Sequence, residues 1–201
     1  MTQATERRGL DIPVEIRSDE ATGTVTVEGY AAVFGQETDI GGMFREVIRA
    51  GAFRNAVNRD DVVFVANHAG LPMARTRSGT LKLDEDAKGL RIRAELDPND
   101  PDVKAILPKM KRGDLDKMSF GFFADRQEWD ETQDPPLRTI VEASLFDVSI
   151  VTFPAYDGTS IAMRSLDATR EEAKRAKGNF NAAARRIANR NRLALAERQS
   201  D

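Results

Sequence analysis

Met118-Ser119-Phe120-Gly121-Phe122-Phe123 is a dense apolar run with one hydroxyl set into it. Read as a strand, it alternates its side chains between two faces. Met118, Phe120 and Phe122 then point one way, and Ser119, Gly121 and Phe123 the other. No G-x-S-x-G elbow surrounds Ser119, which disfavours an α/β-hydrolase architecture. A serine carried within a strand calls for a β-rich scaffold instead. A serine beside a bare glycine leaves space for a substrate backbone to approach a nucleophile. Taken alone, however, such a serine reads as structural, its hydroxyl bonded to a neighbouring carbonyl.

Working outward from this run, the segments on both sides carry further strand signals. Leu10 to Arg17 reads as a short strand and Thr22-Gly23 as a turn. Thr24 to Phe34 is rich in branched and aromatic residues that suit a pleated surface. Gly41-Gly42 opens a turn before Phe44 to Ile48, and Ala50 to Asn58 has helical spacing. Asp61 to His68 is a continuous apolar strand ending in polar groups, followed by a turn through Ala69-Gly70-Leu71-Pro72. Ser78 to Leu83 and Gly89 to Leu96 form a hairpin pattern. Asp100 caps a helix that has Pro101 in its first turn and ends at Gly113, with a kink expected at Pro108. Glu128 to Pro136 reads as a hairpin loop, and Leu137 to Phe153 as a long β segment.

From Ser165 the pattern changes to an Ala- and Arg-rich helical tail with an expected interruption near Gly178-Asn179. Its large apolar residues, Leu166, Phe180, Ile187, Leu193 and Leu195, are too sparse for a core of its own. The expected organisation is a body over residues 1–164 and a basic helical tail over 165–201. Charge agrees: from Arg164 to Asp201 there are ten Lys/Arg and five Asp/Glu, so this part carries +5 and the remainder −8.

Composition excludes several chemistries. The 201 residues contain no cysteine and one histidine, so thiol catalysis, disulfides and a histidine-based zinc cluster are all ruled out. No cofactor is expected. No apolar run is long enough for a membrane span, and the N-terminus lacks the apolar core of a secretion signal. Gly41-Gly42 lacks the Lys-Ser/Thr of a phosphate loop. Asp84, Glu85 and Asp86 read as a solvated hairpin tip rather than a cation site. The basic tail has no interleaved aromatics, so it reads as an interaction helix with no specific nucleic acid.

A serine nucleophile needs a base, and the single histidine means that a histidine base must be His68. A third group must hold the imidazole. Asp147, set in the apolar Leu145-Phe146-Asp147-Val148-Ser149-Ile150-Val151, is one candidate, because a charge there needs a partner. Glu142 is the other. The two lie on opposite faces of an unbroken strand, so only one faces His68 unless a bulge intervenes.

At these residues the sequence resembles the prohead proteases of tailed bacteriophages, capsid maturation enzymes with a herpesvirus-assemblin-like fold. The resemblance spans Gly29 to Arg164. It rests on the order of Gly29-Tyr30-Ala31-Ala32-Val33-Phe34, Gly51-Ala52-Phe53, Asn67-His68, Arg75-Thr76 with Ser78-Gly79-Thr80-Leu81, Met118-Ser119-Phe120-Gly121-Phe122, Asp147-Val148-Ser149 and Pro154-Ala155-Tyr156. One departure is Ala69, where the family often has a polar residue after the Asn-His pair. The resemblance implies an α+β fold built on a mostly antiparallel β-barrel with a few surrounding helices. It implies His68 as base, Ser119 as nucleophile and Asp147 as third member, with Glu142 as the alternative. Backbone amides near Phe120 and Gly121 are oxyanion candidates, and Arg75 is another. The implied activity is a serine endopeptidase that cleaves scaffold, or the scaffold-like segment of the major capsid protein, inside the assembling prohead in the host cytoplasm. Self-cleavage and a homo-oligomer are also implied. The competing readings are a non-catalytic scaffold or capsid-assembly module on the same fold, and an esterase of small molecules.

Overall fold

The computed structural model describes residues 5–11, 14–18, 24–154 and 159–197. Strands are numbered along the chain. One sheet runs β1 (Glu6–Leu10), β10 (Lys117–Asp130), β11 (Leu137–Val151), β5 (Phe44–Ile48) and β4 (Thr38–Ile40). In the same sheet β6 (Val63–Ala66) pairs with β11, and β7 (Ala69–Arg75) with β6. A second sheet runs β2 (Glu15–Ser18), β3 (Val25–Val33), β9 (Gly89–Leu96) and β8 (Leu81–Glu85). Three helices complete the described residues: α1 (Ala56–Arg59), α2 (Pro101–Arg112) and α3 (Thr159–Glu197). The fold is therefore α+β and mostly strand.

The run Met118–Phe123 lies in β10, as its alternation predicts. Met118, Phe120 and Phe122 are fully buried in the core with Phe53, Phe64, Leu90, Ile92, Val148 and Ile150. Phe120 meets Phe53 edge-on at 5.6 Å and lies 5.1 Å from Phe122. Each such ring contributes about 1.5–3 kcal/mol by leaving water. The opposite face of β10 is not open, however, since Ser119 and Gly121 are buried too.

β10 and β11 form the long antiparallel pair that organises the first sheet, with Ser119 opposite Ser149 and Phe120 opposite Val148. The register slips by one residue where Phe122 faces Leu145 and Gly121 faces Asp147, leaving Phe146 as an extra residue on β11. The outer edge of β11 is shared by two short parallel partners. Leu137–Ile140 pairs with β5, and Asp147–Ile150 pairs with β6.

Behind this pair lies a buried ion cluster. Arg138 donates to Glu6 Oε1 at 2.7 Å and to Glu46 Oε2 at 2.8 Å. Arg8 donates to the same two carboxylates, at 2.9 Å to Glu6 Oε2 and 2.6 Å to Glu46 Oε1. Two cations and two anions thus neutralise one another out of water, the condition under which buried charge is tolerated. Burial works to lower the Arg138 guanidinium's pKa, but bonds from Glu6 and Glu46 outweigh it and leave it raised.

Several expectations need correction. Neither sheet closes on itself among the described residues, so the β-barrel is replaced by two sheets; the first ends at β1, β4 and β7. Leu10 to Arg17 is not one strand, because β1 and β2 belong to different sheets. The helix over Ala50 to Asn58 shrinks to α1, with turns before it. The chain reverses at Asn67-His68 rather than over Ala69–Pro72, and the latter begin β7. The hairpin loop after β10 starts beyond Asp130, later than Glu128. The hairpin tip expected at Asp84–Asp86 is present between β8 and β9, where Asp86 accepts bonds from Tyr30 Oη at 2.7 Å and from the Lys88 and Gly89 amides. Thr22-Gly23 and Ala155-Tyr156 lie outside the described residues.

The chain divides into two compact units, residues 1–159 and 160–201. Most of the second is α3, which runs through Gly178-Asn179 without the expected break. One glycine costs about 1 kcal/mol relative to alanine, too little to stop a helix among so many Ala, Arg, Lys and Glu residues. Glu171 to Phe180 is exposed throughout.

Candidate active site

Three elements converge on Ser119. β10 supplies the serine, β11 supplies Asp147, and the turn between β6 and β7 supplies His68. Ala66 pairs with Ala69, so the turn has two residues, Asn67 at φ 49° and His68 at φ 56°. Both positive φ values match the twist of a tight hairpin, and asparagine and histidine are among the side chains that tolerate this region best. The Asn67 amide donates to the Ile150 carbonyl at 3.0 Å, which pins the turn to β11.

The imidazole then lies between the other two groups. His68 Nδ1 is 2.6 Å from Asp147 Oδ1, and Nε2 is 2.6 Å from Ser119 Oγ. A carboxylate only accepts, so Nδ1 carries the ring hydrogen and Nε2 is left as an acceptor facing the hydroxyl. That is the tautomer a base needs to take a proton from serine. The three groups are almost closed to water: Ser119 is fully buried, and the side chains of His68 and Asp147 are 5% and 9% exposed.

Ser119 has a second contact, donating to the Arg8 carbonyl on β1 at 2.9 Å. Its one hydrogen is therefore contested by Nε2 and a backbone oxygen. Both readings of this serine, the bonded structural one and the one paired to a base, are present in the same side chain.

The structure sorts the other candidates. Asp147 contacts the histidine; Glu142 instead accepts from Asn55 Nδ2 at 2.7 Å. The bulge at Phe146 puts both carboxylates on one side of the strand by register, so distance along the strand, not the face, separates them. The space expected beside Gly121 is occupied. A Cβ there would lie 2.5 Å from the Phe146 ring and 2.8 Å from Asp147 Oδ2. Gly121 makes room for the acid rather than for a substrate. Phe120 and Gly121 lie opposite Arg8 and Arg7 on one side and Val148 and Asp147 on the other. Arg75 is held by Asp61, with Nε 2.8 Å from Oδ1.

Two contacts were not read from the sequence. The Arg8 carbonyl carries no sequence signal, because any residue supplies one. Ser149 does carry one: it lies two residues after Asp147, a spacing that puts both on one face of a strand. Its Oγ is 3.1 Å from His68 Nδ1 and 3.3 Å from Asp147 Oδ1. Among the described residues no group of three His, Asp or Glu side chains is placed to hold a metal ion. No described helix is long and apolar enough to cross a membrane.

Comparison with known proteins gives two findings. The model of the caudovirus prohead serine protease family matches residues 12–172. The prohead protease of Enterobacteria phage HK97 is 33% identical over 145 residues, 70% of this chain and 60% of that protein. The chain thus spans about three-fifths of the length of the curated relative it matches. No solved structure matches the chain.

Proposed function

Because the chain belongs to the caudovirus prohead serine protease family, we propose that it is a serine endopeptidase of prohead maturation. Its proposed substrates are the scaffold, or the scaffold-like segment of the major capsid protein, and the chain itself. The observation that carries this reading is the unbroken line of hydrogen bonds from Ser119 through His68 to Asp147.

In this reading Ser119 Oγ attacks a peptide carbonyl while His68 Nε2 takes its proton. The ring, now cationic, is stabilised by Asp147 across the Nδ1 bond. His68 returns the proton to the leaving amine, and the acyl-enzyme forms. Water then repeats the sequence and releases the acid. Turnover requires Ser119 to exchange its contact with the Arg8 carbonyl for contact with the substrate carbonyl. The developing oxyanion is assigned to backbone amides at Phe120 and Gly121, which must exchange their ladder pairing with β1 and β11 for the substrate oxygen; loss of one donor would slow the reaction about 100- to 1000-fold.

The test is Ser119→Ala, compared with wild type by mass spectrometry, alone and with assembling capsid protein. A Ser119-dependent cut near the start of the basic tail, together with Ser119-dependent trimming of capsid protein, is expected. Cleavage that persists in Ser119→Ala would sink the mechanism. Absence of cleavage in both proteins would favour the assembly-module reading.

A further inference from the structure

Ser149 lies on β11, two residues beyond Asp147, and is fully buried. Its Oγ meets three parts of the site. It accepts the backbone N–H of His68 at 3.1 Å, lies 3.1 Å from His68 Nδ1, and donates to Asp147 Oδ1 at 3.3 Å. A serine hydroxyl has one hydrogen and two acceptor positions. One assignment uses all three without conflict: the hydrogen goes to the carboxylate, and the lone pairs face the His68 amide and Nδ1–H. The Nδ1–H is then shared, with Asp147 at 2.6 Å as its main acceptor.

The geometry points to Ser149 as a positioning residue that locks His68, main chain and ring together, onto the strand that carries Asp147. This inference rests on the reading of Ser119, His68 and Asp147 as a peptidase triad. The need for such a lock follows from where His68 sits. It is on a two-residue turn, with φ at 56°, and not inside a strand whose ladder would fix it. The Asp147 bond alone holds one ring atom and leaves the imidazole free to pivot about it. An added bond to the backbone amide removes that pivot and keeps Nε2 on Ser119 Oγ. A buried structural serine commonly donates to a backbone carbonyl; Ser149 donates to the acid of the site instead. Misplacement of a reacting group by about 1 Å can lower a rate on the order of 100-fold, so a tether of this kind has a measurable effect without touching substrate.

The test uses the full chain and a small fluorophosphonate that labels an activated serine. Ser149→Ala should lower the maximal labelling rate at Ser119 by about 10- to 100-fold, with the half-saturating probe concentration nearly unchanged. Ser149→Cys, which keeps the volume but replaces the hydroxyl with a poor donor, should behave alike; Ser149→Thr, which keeps the hydroxyl, should recover most of the rate. A second readout does not depend on activity. His68 is the only histidine, so its downfield Nδ1–H proton resonance is assigned without ambiguity. That resonance should be sharp in wild type and Ser149→Thr, and lost to exchange in Ser149→Ala and Ser149→Cys. Wild-type labelling rates and an unchanged resonance in Ser149→Ala and Ser149→Cys would overturn the inference. If wild type is labelled no faster than Ser119→Ala, the peptidase reading fails instead, and the resonance alone decides whether Ser149 holds the ring.

Discussion

Asp147 and Glu142 are five residues apart on one strand, yet their surroundings set them to different work. Asp147 is buried, fits into the gap left by the missing side chain of Gly121, and bonds His68. Glu142 is only half-buried and bonds Asn55. Asp147→Asn keeps the shape but offers Nδ1 the wrong partner, so His68 turns its lone pair away from Ser119. The expected loss in kcat is on the order of 10⁴-fold, the scale of the same change in another serine protease. Glu142→Gln should leave kcat within about twofold, as expected where a half-exposed bond is changed away from the reacting atoms. Parallel steady-state kinetics of the two variants checks this, and equal losses would return Glu142 to contention.

Among the elements, the β6–β7 turn and the ion cluster behind β10 and β11 bear most on the site. Asn67 takes a left-handed conformation that costs a branched residue about 1–2 kcal/mol. Asn67→Val should therefore destabilise the chain by about that amount and pull His68 off Ser119, whereas Asn67→Gly should keep both stability and activity. Urea titration and peptide turnover measured on both variants separate these outcomes. In the ion cluster, Arg138 is fully buried against two carboxylates. Arg138→Ala would leave Glu6 and Glu46 sharing only the Arg8 cation, and removing one partner from a buried ion pair costs about 3–5 kcal/mol. The fall in the urea midpoint measures it. Because Arg8 also carries the carbonyl that touches Ser119 Oγ, loosening this cluster is expected to alter labelling of Ser119 as well.

At the scale of the whole molecule, the apolar core draws on residues from Val25 to Ile150, and the exposed stretch Glu171 to Phe180 adds nothing to it. A chain ending at residue 170, which keeps the buried Ala162 and Leu166, is therefore expected to unfold cooperatively, with a melting temperature close to that of the full chain. Its Ser119 labelling rate should also be retained. Loss of cooperative melting on truncation would show that the body needs the tail.

Much of the fold was legible in the chain. The alternation of Met118 to Phe123 identified β10, the capping Asp100 and closing Gly113 bracketed α2, and a lone histidine left one candidate for a histidine base. These signals are local: period, cap chemistry and residue count are properties of a few neighbouring positions. The tertiary structure alone decided what depends on contacts across the sheet. It put Phe146 and Asp147 into the space beside Gly121, closed the turn at Asn67-His68, left the sheets of the described residues open rather than joined in a barrel, and brought Ser149 and the Arg8 carbonyl to Ser119, His68 and Asp147. A one-residue slip between β10 and β11 has no signature in either strand. It arises only when the two are paired, and it puts Asp147 opposite Gly121, within reach of His68.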